Sequence, residues 1–117
     1  MPFEVSPKES NFNVVQGDTF NLNVLYQDPD GVPIDLTGYA ATLEVKDKPG
    51  GRIICATASV GDGITISSAS GSIDISLTPT KTRKFTVPRA AYQLQLSYNN
   101  VYTTLLHGWL LVEKSVI

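Results

Sequence analysis

Apolar and polar residues alternate with a period of two along most of this chain. In TFNLNVLYQ, Phe20, Leu22, Val24 and Tyr26 fall on one side, opposite Asn21 and Asn23. YAATLEVKD sets Ala41, Leu43 and Val45 against Thr42, Glu44 and Lys46. GSIDISLTP sets Ile73, Ile75 and Leu77 against Asp74 and Ser76, and AAYQLQLSY places Tyr92, Leu94, Leu96 and Tyr98 on one side. Successive side chains of an extended strand point to opposite faces, so this pattern describes strands with one face on a core. FNVVQG, GRIICATAS and GITISS are shorter candidates. Val101 to Glu113 is apolar almost throughout, as expected of a strand covered on both faces.

Turn formers separate these runs at near-regular intervals: DPDG, KPGG, GDG, SASG and YNNVY. Asparagine tolerates positive φ, so YNNVY predicts a tight hairpin. TPTKTRKF is the one helical candidate. Thr78 or Thr80 can cap about one turn there, before Val87-Pro88 ends it. The pattern predicts an all-β fold, an antiparallel immunoglobulin-like β-sandwich of about 7–8 short strands with at most one short helical turn. Paired cysteines and the central tryptophan spacing of immunoglobulin domains proper are absent. Residues 1–10, with two prolines and no secure alternation, read as an N-terminal extended arm, and residues 11–117 as the single β-sandwich domain.

A chain of 117 residues has the size of one domain and can bury a core without disulfides or a structural metal. A net charge of -2 gives no attraction to nucleic acid or to an anionic membrane surface. No window approaches the roughly 20 apolar residues of a membrane span, and MPFEVSPKES lacks the basic and apolar segments of a signal peptide. Cys55, the single cysteine, has no partner for an internal disulfide, which fits synthesis in a reducing cytoplasm.

The acidic stretch YQDPDGVPIDLTGY raises the question of a calcium site at Asp28, Asp30 and Asp35, since calcium takes carboxylates and backbone carbonyls. Val32, Pro33 and Ile34 stand where further oxygen ligands would be needed. Pro29 presets φ, Asp28 can bond the backbone beyond it, and Gly31 supplies positive φ, so a structural turn is the better reading. His107, the only histidine, sits in LLHGWLLV with no acid or nucleophile prepared beside it. Cys55 lies in an apolar run and reads as a small buried side chain. Ser67, Ser68 and Ser70 form no nucleophile elbow, and no phosphate loop, dinucleotide fingerprint or H-E-x-x-H occurs. The cationic run Lys81 to Lys84 reads as a solvated turn. No catalytic, cofactor-binding or metal-binding residue is assigned, and an enzyme is disfavoured.

QGDTFNLNV, DPDGVPIDLTGYAATLEVKD, GSIDISLTPTKT, YQLQLSY and LLHGWLLVEKSV occur in this order. In that order they resemble a family of tailed-phage and prophage virion proteins, over nearly all of the chain from about Phe12 to Val116. The matching positions are Gly17, Asp18 and Thr19; Asp30, Gly31, Pro33, Asp35, Leu36, Thr37, Gly38 and Tyr39; Gly71, Ile73 and Ile75; Tyr92 and Leu94; and Gly108. Gln93 departs from the pattern, in which an acidic residue often follows the tyrosine. The resemblance implies a β-sandwich in a tail, baseplate, fibre-attachment or capsid-decoration protein. It also implies a non-enzymatic structural role and a virion location after synthesis in the host cytoplasm.

The expected partners are other virion structural proteins and copies of the chain itself, with no nucleic acid and no membrane. Terminal arms and strand edges are the usual docking elements of such assemblies. The expected contact residues are therefore Pro2, Phe3, Glu4 and Val5 in the arm, and Val112, Val116 and Ile117 at the apolar C-terminal end. The alternative is a carbohydrate- or receptor-binding module with Tyr26, Tyr39, Tyr92, Tyr98, Tyr102 and Trp109 as a stacking platform. The alternation places several of these rings in the core, so glycan binding has no support at this level.

Overall fold

The computed structural model describes residues 8–114, which form an immunoglobulin-like β-sandwich. The strands are β1 (Lys8–Glu9), β2 (Phe12–Val15), β3 (Phe20–Leu25), β4 (Ala40–Lys46), β5 (Ile54–Val60), β6 (Gly63–Ser67), β7 (Ser72–Leu77), β8 (Arg89–Tyr98) and β9 (Val101–Glu113). One short helix, α1 (Pro79–Thr82), and a 3-10 turn at Ser68–Ser70 complete the described elements. Nine strands among the described residues stand against the seven or eight expected, the addition being the two-residue β1.

One layer contains β9, β8, β4 and β5 as antiparallel neighbours, and the other contains β6, β7 and β3. Three pairings are parallel, against the purely antiparallel expectation. β1 and β2 both run parallel along the outer edge of β9, Lys8 opposite Leu106 and Val15 opposite Glu113. β5 and β6 touch over two residue pairs, Ser59 with Gly63 and Val60 with Ile64. Here the chain changes layers through Gly61 and Asp62, held by reciprocal backbone bonds between Ser59 and Asp62 at 3.0 and 2.8 Å. The two sheets are thereby joined along one side, as at the corners of sandwiches whose strands switch sheets.

The core follows the alternation. Leu43, Val45, Leu94 and Leu96 of one layer cluster with Ile64, Ile73, Ile75 and Leu77 of the other, each at most 3% exposed. Burial of one such side chain is worth roughly 1.5–3 kcal/mol. Leu36 and Phe85 enter the core from connecting segments. Phe20, Leu22 and Val24 face inward as expected but stay half-buried on the last strand of the sheet path.

Helix α1 starts as the sequence predicts, with Thr78 as its cap and Pro79 in the first turn. It is then tied to the β2–β3 turn. Thr82 is fully buried; its hydroxyl donates to the Asp18 carbonyl at 2.8 Å and accepts the Gly17 N–H at 3.0 Å. Gln16 Nε2 donates to the Phe85 carbonyl at 3.2 Å. The Gly-Asp-Thr motif and the threonine-rich turn, distant in sequence, thus meet in space.

Hydrogen bonds to its own backbone build the 26–39 connection. Asp28 Oδ1 accepts the N–H groups of Asp30 and Val32, both at 2.9 Å. Asp35 Oδ1 accepts the Thr37 N–H at 2.9 Å and its hydroxyl at 2.6 Å. The Tyr26 N–H donates to Gly71 O at 2.8 Å, and the Leu36 N–H donates to Ser68 O at 3.0 Å, fastening the loop to the β6–β7 turn. Gly71 has φ 62, and a Cβ there would lie 2.5 Å from the Tyr26 carbonyl oxygen, so this corner needs glycine.

Candidate interaction surfaces

Two surfaces gather side chains beyond the needs of the core. The first is the end of the sandwich bearing the β8–β9 hairpin. Asn99 and Asn100 take φ values of 54° and 66°, the two positive-φ positions of a tight two-residue turn. On this support Tyr98, Val101 and Tyr102 stand 47%, 64% and 65% exposed. The Tyr98 ring stacks on Tyr39 with centroids 4.8 Å apart. The alternation alone would turn Tyr98 inward with Tyr92, Leu94 and Leu96. Here the phenol lies instead against the 38–39 loop, on Tyr39 and beside Gly38, where a Cβ would come within 3.0 Å of the ring.

The second surface is the outer face of β4, β8 and β9, where a groove of about 690 Å3 opens. Strand register arranges its side chains in three rungs. Lys46, Ala91 and Trp109 form one, Glu44, Gln93 and His107 the next, and Thr42, Gln95 and Thr104 the third. Glu9 extends the middle rung, opposite His107. Ala91 and Gly108 contribute little or no side chain among the lining residues, and Lys48 to Gly50 of the β4–β5 turn also border the groove. The Arg89 guanidinium lies 4.4 Å from the Trp109 ring centroid, holding the indole by a cation–π contact. Gln93 Nε2 donates to Thr104 Oγ1 at 2.8 Å, and Lys46 pairs with Glu44 at 3.1 Å.

The strap formed by β1 and β2 crosses beside this groove. Ser10 N–H donates to His107 O at 2.9 Å, and Asn11 Oδ1 accepts the Trp109 N–H at 2.9 Å. Gly108 permits this approach, since a Cβ there would run into the Ser10 carbonyl oxygen. The Tyr92 hydroxyl donates to that same oxygen at 2.7 Å. Burial pushes the Tyr92 phenol up to about 12.

The residues singled out in the sequence are dispersed. Asp28 and Asp35 carry the turn bonds described above, and its Thr37 partner holds the Asp35 carboxyl below the usual carboxylate range. Cys55 is buried, its thiol pushed up by desolvation and by nearby Asp47. His107 lies in the groove, while Ser68 and Ser70 belong to the 3-10 turn, where the Ser70 hydroxyl donates to Ser67 O at 3.2 Å. Lys81 Nζ donates to the Thr57 carbonyl at 2.9 Å and pairs with Asp62 at 3.3 Å, so it is a fastener of β5 rather than a free cation.

Of the expected contact residues, Val112 is half-buried, paired with Val14 and packed on the chain's own core. Pro2, Phe3, Glu4, Val5, Val116 and Ile117 lie outside the described residues. Lys8 and Glu9, at the end of the expected arm, pair with β9 of the same chain. The tyrosines expected as a platform are divided: Tyr92 is buried, Tyr26 and Tyr39 pack against the core, and Tyr98 and Tyr102 are exposed. The β8–β9 turn follows from the sequence pattern, but the groove does not, because it depends on register between strands distant in sequence.

No protein-family model matches the chain, and a search of curated proteins finds no match. Among solved structures, one from a study of multimeric cell-adhesive interactions of VGSC beta subunits is similar at 14% identity and a TM-score of 0.47. That match covers 96% of this chain and 98% of the other. A structure of Drosophila OTK extracellular domains 3-5 is similar at 16% identity and a TM-score of 0.40, over 95% of this chain. The match spans only 34% of the OTK chain.

Proposed function

We propose that the chain is a non-enzymatic structural component of a phage virion, of the tail, baseplate, fibre-attachment or capsid-decoration class. On this reading it is made in the host cytoplasm and acts through contacts with other virion proteins and with its own copies. The observation that carries the reading is the apolar end of the sandwich. Tyr98, Val101 and Tyr102 are exposed together on a tight two-residue hairpin. Clustered exposed aromatic and aliphatic surface marks a protein contact more often than isolated apolar residues do.

The virion assignment itself rests on the ordered motifs. Each of them has a definite structural role. Gly-Asp-Thr receives α1, Asp28 to Gly38 forms the tied loop, and Gly71 and Gly108 admit close backbone neighbours. In an assembly with many copies, a modest hairpin contact is multiplied by valency. The non-enzymatic part is supported by the dispersal of the nucleophile and base candidates, with Cys55 inside the sandwich and His107 on its outer face.

Mass spectrometry of purified particles tests the reading: the chain is expected in stoichiometric amounts. Its absence from intact particles would sink the proposal. If it is present, Val101→Asp in the particle genome should lower its copy number without unfolding the isolated chain.

A further inference from the structure

We infer that the groove across β4, β8 and β9 is a binding site for a neutral oligosaccharide. Its acidic and basic residues balance, Glu9 and Glu44 against Lys46 and Lys48, and Glu44 and Lys46 already pair with each other. Arg89, stacked on Trp109 beside the groove, adds a single positive charge, too weak a field to select a polyanion. The remaining polar lining consists of the amides Gln93 and Gln95, the hydroxyls Thr42, Thr104 and Tyr92, the last committed to the Ser10 carbonyl, and the imidazole of His107. Amides and hydroxyls both donate and accept, which matches a ligand whose hydroxyls do the same. Trp109, held by Arg89, supplies an aromatic wall for the apolar face of a sugar ring. A volume of about 690 Å3 falls within the usual range of ligand sites.

An extended peptide fits less well. The three strands under the groove are interior to the sheet: β4 pairs with β5 and β8, β8 with β4 and β9, and β9 with β8 and the β1–β2 strap. Their backbone groups are committed to one another, so no strand can be added there, and recognition must run through side chains. A saccharide needs only side chains. This inference is independent of the virion assignment, and its test leaves that assignment untouched.

Trp109 is the only tryptophan, so its fluorescence reports on the groove alone. The full chain would be titrated with cellohexaose, maltohexaose, laminarihexaose and xylohexaose, and with an oligogalacturonate as the anionic control. At least one neutral oligosaccharide is expected to shift or quench the emission at concentrations up to roughly 10 mM, a weak-binding range. Gln93→Ala and Gln95→Ala, each with an unchanged melting curve, should raise that Kd by about tenfold, the loss of one amide's hydrogen bonds. Val101→Ser at the hairpin tip should leave it unaltered. Silence across the neutral panel overturns the inference. So does a stronger response to the oligogalacturonate, or an unchanged Kd in both glutamine variants.

Discussion

The Tyr92 hydroxyl donates to the carbonyl oxygen of Ser10 at 2.7 Å, linking residues 82 positions apart. This bond anchors the β1–β2 strap to the middle of the sheet, beside the glycine that lets the strap approach.

The burial of that phenol predicts a pH dependence. The folded chain holds the Tyr92 phenol pushed up to about 12, against an ordinary value of 10.0. The folded state therefore keeps a proton that the unfolded chain releases first. Stability from this group is complete below about pH 10 and is lost as pH rises through about 12. Tyr92→Phe should cost about 1 kcal/mol at neutral pH and should flatten the fall in melting temperature above pH 10. An alkaline melting series of the two proteins checks both.

Gly108→Ala tests the close approach from the other side. The added methyl meets the Ser10 carbonyl and the Asn11 side chain, so the strap must shift. A loss of about 1–3 kcal/mol is expected in urea unfolding. Hydrogen exchange should quicken at the Ser10 and Trp109 amides, whose partners are His107 O and Asn11 Oδ1.

In the core, Leu94→Ala and Ile75→Ala should each cost on the order of 2–5 kcal/mol, because both side chains are almost fully buried in opposite layers. A near-unchanged denaturation midpoint would mean that the strand faces are inverted.

The hairpin turn offers a stabilising change. Asn100 holds φ at 66°, a region that glycine occupies without strain. Asn100→Gly should raise stability by about 0.5 kcal/mol, visible as a higher melting temperature. The exposed Tyr98, Val101 and Tyr102 would then stand on an even firmer support.

For the acidic loop, calcium or a chelator should leave the melting temperature within about 1 °C, since one oxygen each of Asp28 and Asp35 is engaged by backbone N–H groups. Asp28→Ala should cost about 1 kcal/mol through the two bonds lost. A calcium-induced rise of several degrees would contradict the turn reading.

Much of this architecture is legible in the sequence, because local physics dictates it. Alternation places Ala41, Leu43 and Val45 inside, and Thr78 caps α1 as its hydroxyl and the following proline require. Asn99 and Asn100 make the predicted hairpin. Pairing between distant segments is not legible. Nothing local to Phe12 announces a parallel neighbour at Leu110, and nothing in GDG shows that β5 passes into the other layer. The groove is hidden for the same reason. Gln93, His107 and Glu44 become neighbours only through register, and each alone looks like an ordinary solvent-facing strand residue.

The parallel pairing of β2 with β9 has a mechanical consequence. Phe12 to Val15 run alongside Leu110 to Glu113 in the same direction. Tension drawn along the chain from before β2 to beyond β9 therefore pulls the two strands past each other lengthwise. Their hydrogen bonds share that load at once instead of parting one by one, as they would if the strands were peeled from an end. A domain drawn from both sides would resist extension through this short seam.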